Sequence, residues 1–130
     1  MIRGPVVLDA SALMAFLQGE VDDDEVPLAG AVLNSVNFAE VVRRSVAQGA
    51  ETETLLDELL LLGLEVAPFT PDEGAAAGRL AERAGGAALP FGARACLASA
   101  EVRGGTAVTT NRAWANLDLG VPVRVVGMGD

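Results

Sequence analysis

Asp9, Glu40 and Asn111 are the residues on which this chain can build a metal-dependent chemistry. Asp9 follows directly on the apolar run Pro5-Val6-Val7-Leu8. Asn111 stands two residues past a second such run at 106–109. Glu40 falls in the first turn of a helix expected over 36–47. A carboxylate at a strand end, joined by others from helix N-termini, offers the oxygen donors that a hard cation such as magnesium takes. One or two such ions can activate a water and stabilise the charge that develops on a phosphate. Each residue also has a purely structural alternative. Asp9 can cap the helix that starts at Ala10. Glu40 can complete a capping box with Asn37, and Asn111 can cap the short helix after it. Taken singly these alternatives are the stronger. Taken together the three positions favour chemistry, because all fall where an α/β topology would gather them.

Composition removes several competitors. The chain has no histidine, which excludes His-based acid–base chemistry and a His-ligated zinc. Its one cysteine, Cys96, can form neither an internal disulfide nor a thiolate cluster, and its alanine-rich helical setting reads as a small buried hydrophobe. These absences suit a reducing compartment. All nine basic residues are arginine, and the net charge is −9. That balance argues against broad non-specific nucleic-acid binding, which rests on phosphate neutralisation. It leaves room for a local basic rim, and it suits a basic partner peptide. No apolar run reaches the ~20 residues of a membrane helix. The N-terminus enters a strand-like run without room for a signal peptide, so a cytoplasmic location is expected.

The elements that must position these residues are short. Strands are expected over 5–8, 64–67, 106–109 and 121–126. Helices are expected over 12–17, 36–47, 51–62, from Pro71 to about Ala84, over 91–102, and as a short turn over 111–115 around Trp114. Thr70-Pro71-Asp72-Glu73 is a strong helix start, with a cap, a proline at the first position and an acid at the third. The acidic segment 20–25 reads as a solvated surface loop. The leucine-rich helix at 51–62 reads as core rather than as a partner groove. No repeat, linker or low-complexity tract interrupts the 130 residues, so one domain over 1–130 is expected. Short apolar strands alternating with helices imply a parallel sheet covered on both faces. Ligands then gather at the carboxyl ends of the strands, near a switch in strand order.

Four segments carry a resemblance. Val6-Val-Leu-Asp9-Ala-Ser11 is similar to the opening of a PIN domain, whose first strand ends on a metal-binding aspartate followed by a small residue and Ser or Thr. Asn37-Phe-Ala-Glu40-Val resembles that family's second acidic motif. Leu89-Pro-Phe-Gly-Ala93-Arg94-Ala-Cys-Leu-Ala98 resembles the third, and Val108-Thr109-Thr-Asn111-Arg112-Ala-Trp114 the fourth. The motifs come in the right order and span nearly the whole chain, which resembles the PIN-domain ribonucleases of the VapC toxin type. The resemblance implies a three-layer α/β/α fold with a central parallel sheet. It implies a toxin of a type II toxin–antitoxin pair: an endoribonuclease cutting tRNA or rRNA with Mg²⁺ or Mn²⁺. Its partners would be a cognate antitoxin, an RNA substrate and a second copy of itself in a homodimer. Asp9 and Glu40 would bind the metal, and the catalytic set would be Asp9, Glu40, Asn111 and the position of Ala93. Ser11 and Thr109 would be hydrogen-bonding neighbours. Arg94 and Arg112 would contact RNA phosphates, a task for which arginine is suited, or else form surface ion pairs.

The departure is at Ala93, where these ribonucleases carry an aspartate. A methyl group binds no metal and orients no water, so activity is expected to be impaired. Asn111 replaces a frequent aspartate but keeps a carbonyl oxygen, and relatives also read Thr-x-Asn there. Engineering, natural decay and a shift to a binding role are all open as origins of Ala93. The alternative is therefore a catalytically inactive PIN-like module that binds protein or RNA. A phosphoacceptor domain would need a lysine, and a phosphatase of the Asp-x-Asp type would need an acid where Ser11 stands.

Overall fold

The computed structural model describes residues 2–22, 24–83 and 85–127. Its five strands are β1 (Val6–Leu8), β2 (Val32–Asn34), β3 (Glu65–Ala67), β4 (Thr106–Thr109) and β5 (Val123–Val125). Its α-helices are α1 (Ala10–Leu17), α2 (Ser35–Ala47), α3 (Leu55–Leu61), α4 (Pro71–Leu80) and α5 (Phe91–Arg103). Short 3-10 helices occupy Gly86–Ala88 and Arg112–Asn116. The strands form one sheet in the order β3-β2-β1-β4-β5, and every pairing is parallel. The chain leaves β1 toward β2 on one side and returns to β4 on the other, so the strand order switches between β1 and β4.

Alternation along the strands divides the core in two, because successive side chains point to opposite faces. Leu8, Leu33 and Val108 pack with α1, α2 and α3. Val7, Val32 and Ala107 pack with α4, α5 and Trp114 on the other face. This is the expected three-layer α/β/α arrangement. Among the described residues no helix is long and apolar enough to cross a membrane.

The expected elements at 5–8, 64–67, 91–102, 106–109 and 111–115 appear within a residue or two. The strand expected over 121–126 contracts to β5. Three differences matter. First, β2 has no counterpart in the sequence reading. It is three residues long and leads directly into α2, so Asn34, its last residue, is the cap of that helix. Asn34 Oδ1 accepts the Asn37 backbone N–H at 2.8 Å. The capping box expected between Asn37 and Glu40 therefore does not form; both lie inside the helix. Second, α3 is not a core helix along its length. Only Leu55 and Leu59 are buried, while Leu56, Leu60, Leu61 and Leu62 are exposed, Leu61 to 88%. A seven-residue helix packed beside the edge strand β3 covers one i, i+4 stripe and no more. Third, α4 ends at Leu80, short of the expected end at Ala84, which lies outside the described residues.

The start of α4 is as expected. Thr70 and Glu73 close a capping box behind Pro71. Of the acidic loop, Glu20, Asp22, Asp24 and Glu25 are exposed, and Asp23 lies outside the described residues.

Candidate active site

Asp9 leaves β1 in an extended conformation and caps α1, so both the structural and the chemical positions expected for it are occupied by one side chain. The Asp9 backbone N–H still belongs to the sheet and donates to the Val108 carbonyl. Oδ1 accepts the Ala12 N–H at 2.8 Å and the Ser11 hydroxyl at 2.7 Å, and Oδ2 accepts the Thr109 hydroxyl at 2.6 Å. Thr109 ends β4, the neighbour of β1 across the switch in strand order. The carboxylate is thus clamped between the two strand ends that open the crevice, where the topology rule locates ligands. Burial pushes the Asp9 carboxyl above its ordinary value. The hydrogen bonds from Thr109, Ala12 and Ser11 and the positive charge of Arg44 oppose this without cancelling it.

Glu40 reaches the same crevice from the second turn of α2. Asn37, one turn earlier on the same helix face, donates from Nδ2 to Glu40 Oε1 at 2.9 Å and to the Gly92 carbonyl at 3.0 Å. Asn37 is fully buried, so these contacts set its amide orientation. The carboxylate of Glu40 lies against the first turn of α5. A Cβ built on Gly92 would stand 2.5–2.7 Å from its atoms. Asn34 ties the two helices together below this point, donating to Ala95 O at 3.2 Å and Ser99 Oγ at 2.8 Å.

A cavity of about 150 Å³ is lined by Asp9, Ser11, Glu40, Arg44, Ala93 and Asn111, among others. All four positions expected to form the catalytic set therefore meet in one place. Thr109 supports it through Asp9. Asn111 caps the 3-10 helix, its Oδ1 accepting the Ala113 N–H at 3.0 Å, and still presents a lone pair. Ala93 contributes only its methyl group.

Arg94 and Arg112 do not line this cavity. Arg94 donates to the Leu89 and Ala77 carbonyls and lies over the Phe91 ring, 5.7 Å from its centroid. Among the described residues it forms no ion pair. Arg112 is exposed on the 3-10 helix beside Asn111. Arg44, Asn37 and Gly92 are the site residues that sequence reasoning missed. The usable signals were spacing of three and four residues from Glu40 for the first two, and the neighbouring Ala93 for the third. Cys96 is fully buried, and burial pushes its thiol well above its ordinary value.

The donor set can be tested against a divalent cation. Among the described residues no three acidic, histidine or cysteine side chains form a group that could hold a metal. The Asp9 and Glu40 carboxylates do share the cavity. Oδ2 of Asp9 and Oε1 of Glu40 each carry one hydrogen bond, which leaves lone pairs open. Magnesium commonly keeps several waters and takes one or two carboxylates together with substrate phosphates. The pair fits an ion held in that way.

Fold and site define a parallel α/β domain with an acidic crevice at its switch in strand order. The family model of the PIN domain matches residues 6–119, and the chain belongs to that family. Its fold is similar to those of solved structures that include the following three. VapBC2 from Rickettsia felis, bound to a DNA fragment from its promoter, has a TM-score of 0.70 at 14% identity, over 92% of this chain and 97% of that one. FitAcB from Neisseria gonorrhoeae has a TM-score of 0.67 at 20% identity, over 91% and 95%. VapBC-5 from Mycobacterium tuberculosis, a member of the VapBC family of toxin–antitoxin systems, has a TM-score of 0.63 at 21% identity, over 96% and 99%. At these identities the likeness is one of fold. No curated protein matches the chain.

Proposed function

We propose that this chain is a single-domain, VapC-type toxin: a metal-dependent endoribonuclease of a type II toxin–antitoxin pair, impaired by the methyl group of Ala93. The observation that carries the reading is the meeting of Asp9, Glu40, Asn111 and the substituted position 93 around one cavity at the switch between β1 and β4. Asp9 and Glu40 would hold Mg²⁺ or Mn²⁺. Such an ion, when bound, supplies an activated water and neutralises charge developing on the phosphate.

The chain's own residues prepare that chemistry. Ser11 and Thr109 orient the Asp9 carboxylate, and the Ala12 N–H completes its support. Asn37 fixes Glu40 against α5. Asn111 offers its remaining carbonyl lone pair at the cavity wall. Arg112, exposed beside Asn111, would meet an RNA phosphate. A cognate antitoxin would cover the site, as the toxin–antitoxin complexes of similar fold contain such partners. The exposed leucines of α3 offer an apolar surface for the antitoxin or for a second copy in a homodimer. A cytoplasmic location fits the buried free thiol of Cys96.

The test is RNA cleavage in Mg²⁺ and in Mn²⁺ by the chain, by Ala93→Asp, and by Ala93→Asp carrying Asp9→Ala. Cleavage by Ala93→Asp, abolished by Asp9→Ala, is the expected result. Absence of cleavage by Ala93→Asp across tRNA and rRNA substrates would refute it. Ala93 also favours a second reading, an inactive PIN-like module that binds protein or RNA, and that reading predicts RNA or protein binding with no gain of cleavage in Ala93→Asp.

A further inference from the structure

A second cavity, about 620 Å³ in volume, adjoins the acidic one. Ser11 and Arg44 line both, and among the described residues Arg44 is the only cationic one lining either. The larger space is bordered by the side-chain amides of Gln18 and Gln48, the hydroxyl of Thr110 and the apolar side chain of Met14, with Glu20 its single carboxylate. The two amides meet at its border, Gln18 Nε2 donating to Gln48 Oε1 at 3.4 Å, which leaves Gln18 Oε1 and Gln48 Nε2 for a ligand.

The state of Arg44 separates it from Arg94. Arg94 gives two of its five donors to backbone carbonyls. The Arg44 guanidinium has no hydrogen bond or ion pair among the described residues. It stands one turn beyond Glu40 on α2, close enough for its charge to act on Asp9. An acidic crevice repels a polyanion, so a strand that enters it needs a cation at the entrance. Arg44 is that cation, and its planar fork matches two phosphate oxygens.

We propose that Arg44 and the 620 Å³ cavity form a nucleotide subsite, in which the guanidinium holds the RNA phosphate next to the acidic cavity and the Gln18 and Gln48 amides meet the edge of the adjoining base. The volume lies within the ~300–1,000 Å³ of small-ligand sites. Single-stranded bases are read through hydrogen bonds along their edges, which carboxamides can both donate and accept. This subsite rests on the ribonuclease reading above and adds to it a place for the neighbouring nucleotide.

The test uses the full chain, labelled with ¹⁵N, and two probes, adenosine and uridine 3′,5′-bisphosphate. Titration is expected to shift the Arg44 Nε–H and the side-chain amides of Gln18 and Gln48. Arg44→Gln should weaken binding at least tenfold and Arg44→Lys less, while Arg43→Gln, an equal change of charge on the exposed neighbour, should stay within twofold. Equal effects of Arg43→Gln and Arg44→Gln, or shifts that avoid the glutamine amides, would overturn the subsite. So would stronger occupation of the same amides by a hexaglutamate peptide, which would mark the cavity as a protein-docking site. Cleavage separates this proposal from the reading beneath it. In Ala93→Asp, added Arg44→Gln should raise KM about tenfold with kcat little changed. An active Ala93→Asp enzyme indifferent to Arg44→Gln would sink the subsite alone. An inactive Ala93→Asp enzyme would sink the ribonuclease reading, whatever the bisphosphates do.

Discussion

Gly92→Ala should change sign in its effect on stability according to whether Glu40 is present. Gly92 lies in the first turn of α5, and an added Cβ would come within 2.5–2.7 Å of the Glu40 carboxylate. The obstructing atoms are the far end of a flexible side chain, so Glu40 swings away and the backbone stays. Its departure breaks the bond from Asn37 Nδ2, a hydrogen bond to a charged group, which is worth about 1.5–3 kcal/mol. Against this, replacing glycine by alanine in a helix gains up to about 1 kcal/mol. The net effect in the parent chain is a loss of about 0.5–3 kcal/mol by the same two magnitudes. In a Glu40→Ala background nothing obstructs the methyl group, only the helix gain remains, and Gly92→Ala becomes stabilising.

Urea denaturation of the four proteins of this cycle measures the difference directly. Trp114 is the chain's only tryptophan and lines the same cavity, so its fluorescence follows both unfolding and the binding of Mn²⁺. Gly92→Ala should also weaken Mn²⁺ binding, since it displaces one of the two carboxylates. The reasoning is refuted if Gly92→Ala has the same sign and size in both backgrounds, because Glu40 would then not be seated against α5.

Two further outcomes follow from burial. Asp9→Asn should raise the melting temperature in EDTA at neutral pH, because desolvation of the carboxylate outweighs its three hydrogen bonds, and it should remove any stabilisation by Mn²⁺; a lower melting temperature in EDTA would contradict this. Cys96, whose thiol is held neutral by burial, contributes stability that is complete below the ordinary thiol range and is lost as pH rises through that range toward the raised folded value. Disulfide-exchange labelling at pH 8 should therefore proceed only as fast as the fold opens and accelerate with urea, whereas a rate near that of a free thiol would show the site to be accessible.

What could be read from the sequence was what depends on local rules. A strand that ends on an aspartate and passes into a helix places that aspartate at the mouth of a parallel sheet, and Asp9 is there. The Thr70–Glu73 capping box needs only its own four residues, and it forms. β2, no shorter than β1, β3 or β5, escaped because it runs into α2 with no residue between them to mark a boundary, and missing it put the expected cap of α2 at Asn37 instead of Asn34. The same omission concealed how α2 meets α5. Asn34 and Asn37 bond to Ala95, Ser99 and Gly92, some 55 to 65 positions away in the chain. No local pattern encodes those pairs. The leucines of α3 failed for a related reason: their number suggested burial, but position beside an edge strand decides how many can be covered.

The contrast between Arg94 and Arg44 carries the same argument into the site. Arg94 stands inside a motif, one residue from the position where an acid is expected, and was the natural candidate for phosphate. The fold gives it two carbonyls and an aromatic ring. Arg44 belongs to no motif, yet α2 delivers it to the boundary of two cavities with no partner for its donors among the described residues. Two carboxylates clamped by neutral donors from Ser11, Thr109 and Asn37 still make a crevice that repels RNA. Ala93 puts no carboxylate where the family resemblance expects one, which would lessen that repulsion and withhold a metal ligand. A chain altered in this way can therefore lose cleavage and keep, or gain, affinity for the strand that Arg44 would hold, so binding and cutting must be measured separately.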